Sequence, residues 1–216
     1  MTLVGTKYTA YIFDFDFTLA DATVGIMECM NHAFKTMGME SKSRDEIRKT
    51  VGFTLTESFA ILSGIHDDAM ANRFFSLFKE KANEVLTANT VLFAETIPVL
   101  TQLKARGCKT AIVTTKYRYR IDEVLSKYGI VDLIDYVVGF EDVKTAKPSP
   151  EGLLKAIEHF NIDKNKVLYI GDSLIDAHAA ANSGVDFVAV TTGTTAASEF
   201  EPLPYIRIVA DLNGVL

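Results

Sequence analysis

From residue 96 onward the apolar positions switch between two periods. Ile97, Leu100 and Leu103 recur at helical spacing, and Gly107 stops that run. Lys109 to Val113 then reads as a strand. Ile121, Val124, Leu125 and Tyr128 make a second helical stripe ended by Gly129. Tyr136 to Val138 is a short strand, and Leu153, Leu154, Ile157 and Phe160 form an amphipathic helix. Val167 to Ile170 is a strand, Leu174 to Ser183 a helix and Asp186 to Val190 a strand, with Ile206 to Val209 as a candidate last strand. Near the start, Tyr11 to Phe13 is a short apolar run of the kind buried in a parallel sheet. Strands alternating with helices predict an α/β fold with a parallel sheet and right-handed crossovers.

Residues 20–90 follow a different rule. Met27, Met30, Phe34 and Met37 form one helical stripe; Phe74, Phe75, Phe78, Ala82 and Val85 form another. No convincing strand lies between them. Ser43-Arg44-Asp45-Glu46 and Thr54-Leu55-Thr56-Glu57 both fit the capping box, so two helix starts are marked. The expectation is an all-helical insertion, residues 20–90, in a core made of residues 1–19 and 91–216.

Hydrophobic residues make up 48% of the 216 positions, enough for a sizeable core. The net charge of −6, with both signs interspersed, argues against a nucleic-acid-binding face. Cys29 and Cys108 stand far apart without a CxxC pattern, so reduced, buried thiols in a cytoplasmic protein are expected. Met1 to Lys7 is too short and polar to read as a signal peptide, and no apolar stretch is long enough to span a membrane.

The chemistry concentrates where predicted strands end. Ile12-Phe13-Asp14-Phe15-Asp16-Phe17-Thr18-Leu19 runs from a strand into two carboxylates. At the carboxyl end of a parallel strand these face the crevice where open α/β sheets bind ligands. The competing explanation is turn chemistry, with Asp16 capping a following helix. Thr114, Thr115 and Lys116 follow Val113, and Lys147 precedes a stiff Pro148-Ser149-Pro150 start to a helix. Gly171-Asp172-Ser173 follows another strand. Asp172 and Asp176 lie one helical turn apart, a like-charge pair that a nearby cation would relieve. Capping explains Asp172 well and Asp176 poorly. Oxygen-only ligands favour Mg²⁺ bridging protein carboxylates to a phosphate.

In this order the segments resemble the four motifs of the haloacid dehalogenase superfamily: Asp14-Phe15-Asp16 with Thr18-Leu19, Thr114, Lys147 with Pro148, and Gly171-Asp172-Ser173 with Asp176. The resemblance covers residues 8–192 and implies a Rossmann-like core, with residues 20–90 as a helical C1-type cap. The segment Val51 to Ser58 and the sequence Thr114-Thr115-Lys116 are similar to those of phosphoglycolate phosphatase-like members. One departure is Phe17, where the family usually has Gly.

The resemblance implies a Mg²⁺-dependent phosphatase acting on a small phosphorylated metabolite through an aspartyl-phosphate. Asp14 would be the nucleophile and Asp16 the acid and base. Thr114 and Lys147 would stabilise the phosphoryl group. Mg²⁺ would sit on Asp14, the Asp16 main-chain carbonyl and Asp172, with Asp176 as a direct or indirect support. Thr115, Lys116, Gly52 and Thr54 are the candidate substrate-binding residues. A sugar phosphomutase, a pyrophosphatase and a non-catalytic phosphate-binding module are the alternatives. A monomer and a homodimer are both compatible with the sequence.

Overall fold

A computed structural model describes residues 7–216, so the reading of Met1 to Thr6 lies outside the described residues. The chain divides into two compact units, Met1–Leu19 with Phe93–Leu216, and Ala20–Leu92. The first unit starts with β1 (Ala10–Phe13), fully buried as an apolar strand flanked on both sides must be.

The second unit opens with β2 (Ala20–Asp21) and continues through α1 (Thr23–Thr36), α2 (Arg44–Arg48), α3 (Leu55–Ser63) and α4 (Asp68–Val85) to β3 (Val91–Leu92). Both expected capping boxes are present. Ser43 pairs reciprocally with Glu46, and Thr54 with Glu57. The predicted stripes converge in one core. Phe34 lies 4.8 Å and Phe59 5.2 Å from Phe74, ring centre to ring centre, with Cys29, Met30, Ile47, Phe78 and Ala82 around them. The unit is not purely helical. β2 and β3 form a two-stranded antiparallel ribbon, Ala20 opposite Leu92 and Asp21 opposite Val91. Val91 and Leu92 belong to this unit through that pairing. Two-residue strands are too short to show a period, which is why the pattern did not reveal them.

Back in the first unit, α5 (Thr96–Ala105), β4 (Lys109–Val113), α6 (Arg118–Tyr128), β5 (Tyr136–Val138), α7 (Glu151–Phe160), β6 (Val167–Gly171), α8 (Leu174–Ser183), β7 (Asp186–Val190), α9 (Ala197–Phe200) and β8 (Arg207–Val209) follow in turn. Gly129 ends α6 at φ +66°, a left-handed conformation that a Cβ would disfavour. The six-stranded sheet has the order β5-β4-β1-β6-β7-β8. All its pairings are parallel. Ala10 and Ile12, Ala111 and Val113, Val167 and Tyr169, and Phe187 and Ala189 share one face, packed against Leu153, Ala156, Ala177 and Ala180 of α7 and α8. This is the expected α/β, Rossmann-like architecture.

The order reverses around β1, whose neighbours β4 and β6 come from separate crossovers. Parallel sheets bind ligands beyond the carboxyl ends of the strands at such a reversal. The segments after β1, β4 and β6 therefore meet at one edge. No helix among the described residues is long and apolar enough to cross a membrane.

Candidate active site

Register brings the strand ends together. Phe13 is level with Ile112 of β4 and Ile170 of β6, so Asp14, Thr114 and Asp172 each follow a strand that stops at the same edge. Asp14 N donates to Ile170 O at 2.9 Å, which carries β1 pairing one residue beyond the strand. Asp16 does not cap a helix. The chain turns there, with Leu19 N donating to Phe15 O at 2.9 Å, and the first helix starts only at Thr23.

Lys147 stands at the centre of the charge arrangement. Its Nζ lies 2.8 Å from Asp14 Oδ1 and 2.6 Å from Asp176 Oδ1, with its side chain 4% exposed. It also donates to Tyr169 Oη at 3.1 Å. The peptide bond between Lys147 and Pro148 is cis. Asp176 is saturated. Besides Lys147 it accepts from Tyr169 Oη at 2.7 Å and from Ser173 Oγ at 2.6 Å and Ser173 N at 3.2 Å. This corrects the capping argument. Ser173, not Asp172, is the N-cap of α8, and Asp176 is its reciprocal partner. Asp172 is left without a cap role. Its Oδ1 accepts from Thr18 Oγ1 at 3.3 Å, and its other oxygen faces the Gly193 backbone, where an added Cβ would come within 1.9 Å.

The electrostatics follow from this geometry. Burial pushes the Asp14 carboxyl up, Lys147 opposes it, and the Asp176 and Asp16 charges add to it, for a pKa of about 7. Burial and the charges of Asp176 and Asp14 hold the Asp172 carboxyl well above the usual range. Burial would raise Asp176 too, but Lys147, Ser173 and Tyr169 outweigh it and leave it lowered. For Lys147, burial favours the neutral amine, and the two carboxylates reverse that and raise its pKa. Asp14, Asp172 and Asp176 each offer an oxygen within 4.8 Å of the others. With Asp176 committed to Lys147, Tyr169 and Ser173, Asp14 and Asp172 are the carboxylates whose repulsion a hard cation would relieve. All donors are oxygen, which suits Mg²⁺.

The remaining candidates divide between the units. Thr114 Oγ1 is buried and accepts from Lys116 N at 3.2 Å. Lys116 Nζ reaches Asp16 Oδ2 at 2.5 Å. Asp16 Oδ1 is buried without a hydrogen-bond partner among the described residues. Thr115 is half-buried beside them. Gly52 and Thr54 lie in the second unit. Thr54 Oγ1 accepts from Glu57 N at 3.3 Å and donates to its carboxylate at 2.7 Å, so that hydroxyl serves the start of α3.

Three contributors were missed from sequence. Tyr169 is a strand residue whose hydroxyl, once buried, needs a partner. Thr192 donates to Phe17 O, and Gly193 approaches Asp172. The polar run Thr191-Thr192-Gly193 after an apolar strand was the available signal. Phe17 adopts φ +58°, a left-handed conformation that a Gly would reach without strain, and its ring is buried.

The sequence profile of the haloacid dehalogenase-like hydrolases matches residues 11–190. The chain belongs to that family. A solved haloacid dehalogenase-like hydrolase from Bacteroides fragilis superimposes with a TM-score of 0.95 at 44% identity, over 97% of this chain and 100% of that one. The pyrophosphatase PpaX of Bacillus velezensis is 29% identical over 209 residues, 95% of each chain. A phosphoglycolate phosphatase of Rhodobacter capsulatus is 30% identical over 187 residues, 85% of this chain and 84% of that one.

Proposed function

We propose that this hydrolase is a Mg²⁺-dependent phosphatase of small phosphorylated metabolites, working through an aspartyl-phosphate on Asp14. The carrying observation is Lys147 fixed between Asp14 and Asp176, beside the buried carboxylate of Asp172, which has no ion pair among the described residues. An Asp14 oxygen attacks phosphorus as the bond to the leaving oxygen breaks. Asp16 gives its proton to that oxygen. Water then attacks the same phosphorus, Asp16 takes the water's proton, and the phosphorus–oxygen bond to Asp14 breaks, releasing phosphate.

A carboxylate attacking a phosphate faces like-charge repulsion. Lys147 lowers it from one side, and Thr114 offers a hydroxyl to a phosphate oxygen. Asp14, the Asp16 main-chain carbonyl and Asp172 would hold Mg²⁺, which supplies further neutralisation of charge on the phosphoryl oxygens. Asp176 acts behind Lys147 by orienting its ammonium. Thr115 and Lys116 would contact the substrate. Inorganic pyrophosphate is a second substrate to weigh beside phosphoglycolate-like esters, since a pyrophosphatase aligns with 95% of this chain.

Hydrolysis of p-nitrophenyl phosphate by purified protein, with Mg²⁺ and then in excess chelator, tests the reading. Turnover should require the ion, and Asp14→Asn should lose on the order of 10³-fold or more, because an amide cannot form the acyl phosphate. Full turnover without divalent ions, or near-wild-type turnover by Asp14→Asn, refutes it.

A further inference from the structure

Two ammonium groups face the four carboxylates, and they are held differently. Lys147 is pinned by carboxylates on two sides. Lys116 meets only one, Asp16 Oδ2, which leaves two of its three N–H donors without a partner among the described residues. Both side chains of that pair are largely buried, at 12% and 9% exposed. The main chain at Lys116 is fixed from both ends. Its N–H donates to Thr114 Oγ1 at 3.2 Å, and its carbonyl accepts from Phe140 N at 2.8 Å. A long, flexible cation is thus anchored at its base and directed at one oxygen.

That oxygen belongs to the group assigned to protonate the leaving oxygen, so the inference rests on the phosphatase reading. An atom accepting a proton from Asp16 must lie within hydrogen-bond reach of its carboxylate. The substituents next to the leaving oxygen then fall within reach of Lys116 Nζ. A neutral leaving group would leave the ammonium with Asp16 as its sole partner. An anionic one gains a charge-assisted bond in a site that excludes most water.

We infer that Lys116 reads the charge of the leaving group, so that the preferred substrates carry a carboxylate or phosphate next to the scissile phosphorus–oxygen bond. Glycolate and phosphate, the leaving groups of phosphoglycolate and pyrophosphate, share this chemistry. A sugar or a nucleoside presents hydroxyls there instead.

The test compares 2-phosphoglycolate and pyrophosphate with 2-hydroxyethyl phosphate, a neutral-leaving-group analogue matched in size to phosphoglycolate. p-Nitrophenyl phosphate serves as the reference. At least one anionic substrate should exceed 2-hydroxyethyl phosphate in kcat/KM by about 10- to 100-fold, the worth of one charge-assisted bond. Which one does so separates a carboxylate reader from a phosphate reader. Lys116→Gln should collapse that ratio toward one, mainly through KM, while Lys116→Arg should keep most of it. Thermal melts establish that both variants are folded; if Lys116→Gln is not, the wild-type ratio and the Arg variant decide. A wild-type ratio near one, or a ratio unchanged by a folded Lys116→Gln protein, overturns the inference while p-nitrophenyl phosphate turnover upholds the phosphatase reading. Absence of turnover on every substrate overturns both.

Discussion

Asp172→Asn should make the metal-free protein more stable and remove its response to Mg²⁺. Asp172 is 5% exposed, accepts a hydrogen bond from the Thr18 hydroxyl alone among the described residues, and shares a cluster with Asp14 and Asp176. At an effective dielectric of about 20, two charges 4.8 Å apart repel by about 3 kcal/mol. Lys147 cancels part of this, and some of the remainder is met by a proton that the fold must take up. Asparagine keeps the acceptor for Thr18 and removes the charge. A net gain of about 2 kcal/mol follows, which in a chain of 216 residues raises Tm by about 4–8 °C. In the wild type, Mg²⁺ at 100 times its Kd should return about 2.7 kcal/mol. Calorimetric melts at pH 8, in excess chelator and then with Mg²⁺, give both numbers for both proteins. A metal-free variant no more stable than wild type, or one whose Tm rises with Mg²⁺ as the wild type's does, refutes the assignment of Asp172 as a repelled cation ligand.

Asp16→Asn should slow turnover by on the order of 10²-fold in a protein that still folds but melts at a lower temperature, because acid and base catalysis is lost and the buried Lys116 ammonium keeps an amide oxygen in place of its carboxylate; an unfolded variant would instead mark Asp16 as structural. Gly193→Ala forces a Cβ against Asp172 Oδ2 and should weaken Mg²⁺ binding by about 10- to 100-fold in a calorimetric titration; unchanged affinity would show that the Gly193 approach is incidental. The pKa of Asp14, raised from 3.8 to about 7 in the fold, means that the folded state holds that proton more tightly than the unfolded one. Its contribution to stability is complete below about pH 4 and is lost as pH rises through 7. In chelator, wild-type Tm should therefore fall more steeply between pH 5 and 8 than that of Asp14→Asn, and parallel curves would contradict the shift.

What sequence determined is what short stretches of chain encode. The strands Lys109–Val113, Tyr136–Val138 and Asp186–Val190 and the helix Leu174–Ser183 were legible to the residue, because period and stop signals act over a few positions. The capping boxes at Ser43 and Thr54 were legible for the same reason. So were the polar groups at strand ends, since a carboxylate after an apolar run demands an explanation wherever it folds. The β2–β3 ribbon was not, as its partners are two residues long and some 70 positions apart. Nor was the role of Asp176. Its spacing from Asp172 suggested a shared cation, and the cation that meets it is Lys147, 29 residues upstream. Lys116 and Asp16 are 100 positions apart, and Thr192 and Phe17 are 175. These pairings depend on strand order and register around β1, a property of the assembled sheet. The charges of this site are far apart in sequence and meet only when packing brings the strand ends together and buries them, and that step belongs to the tertiary structure alone.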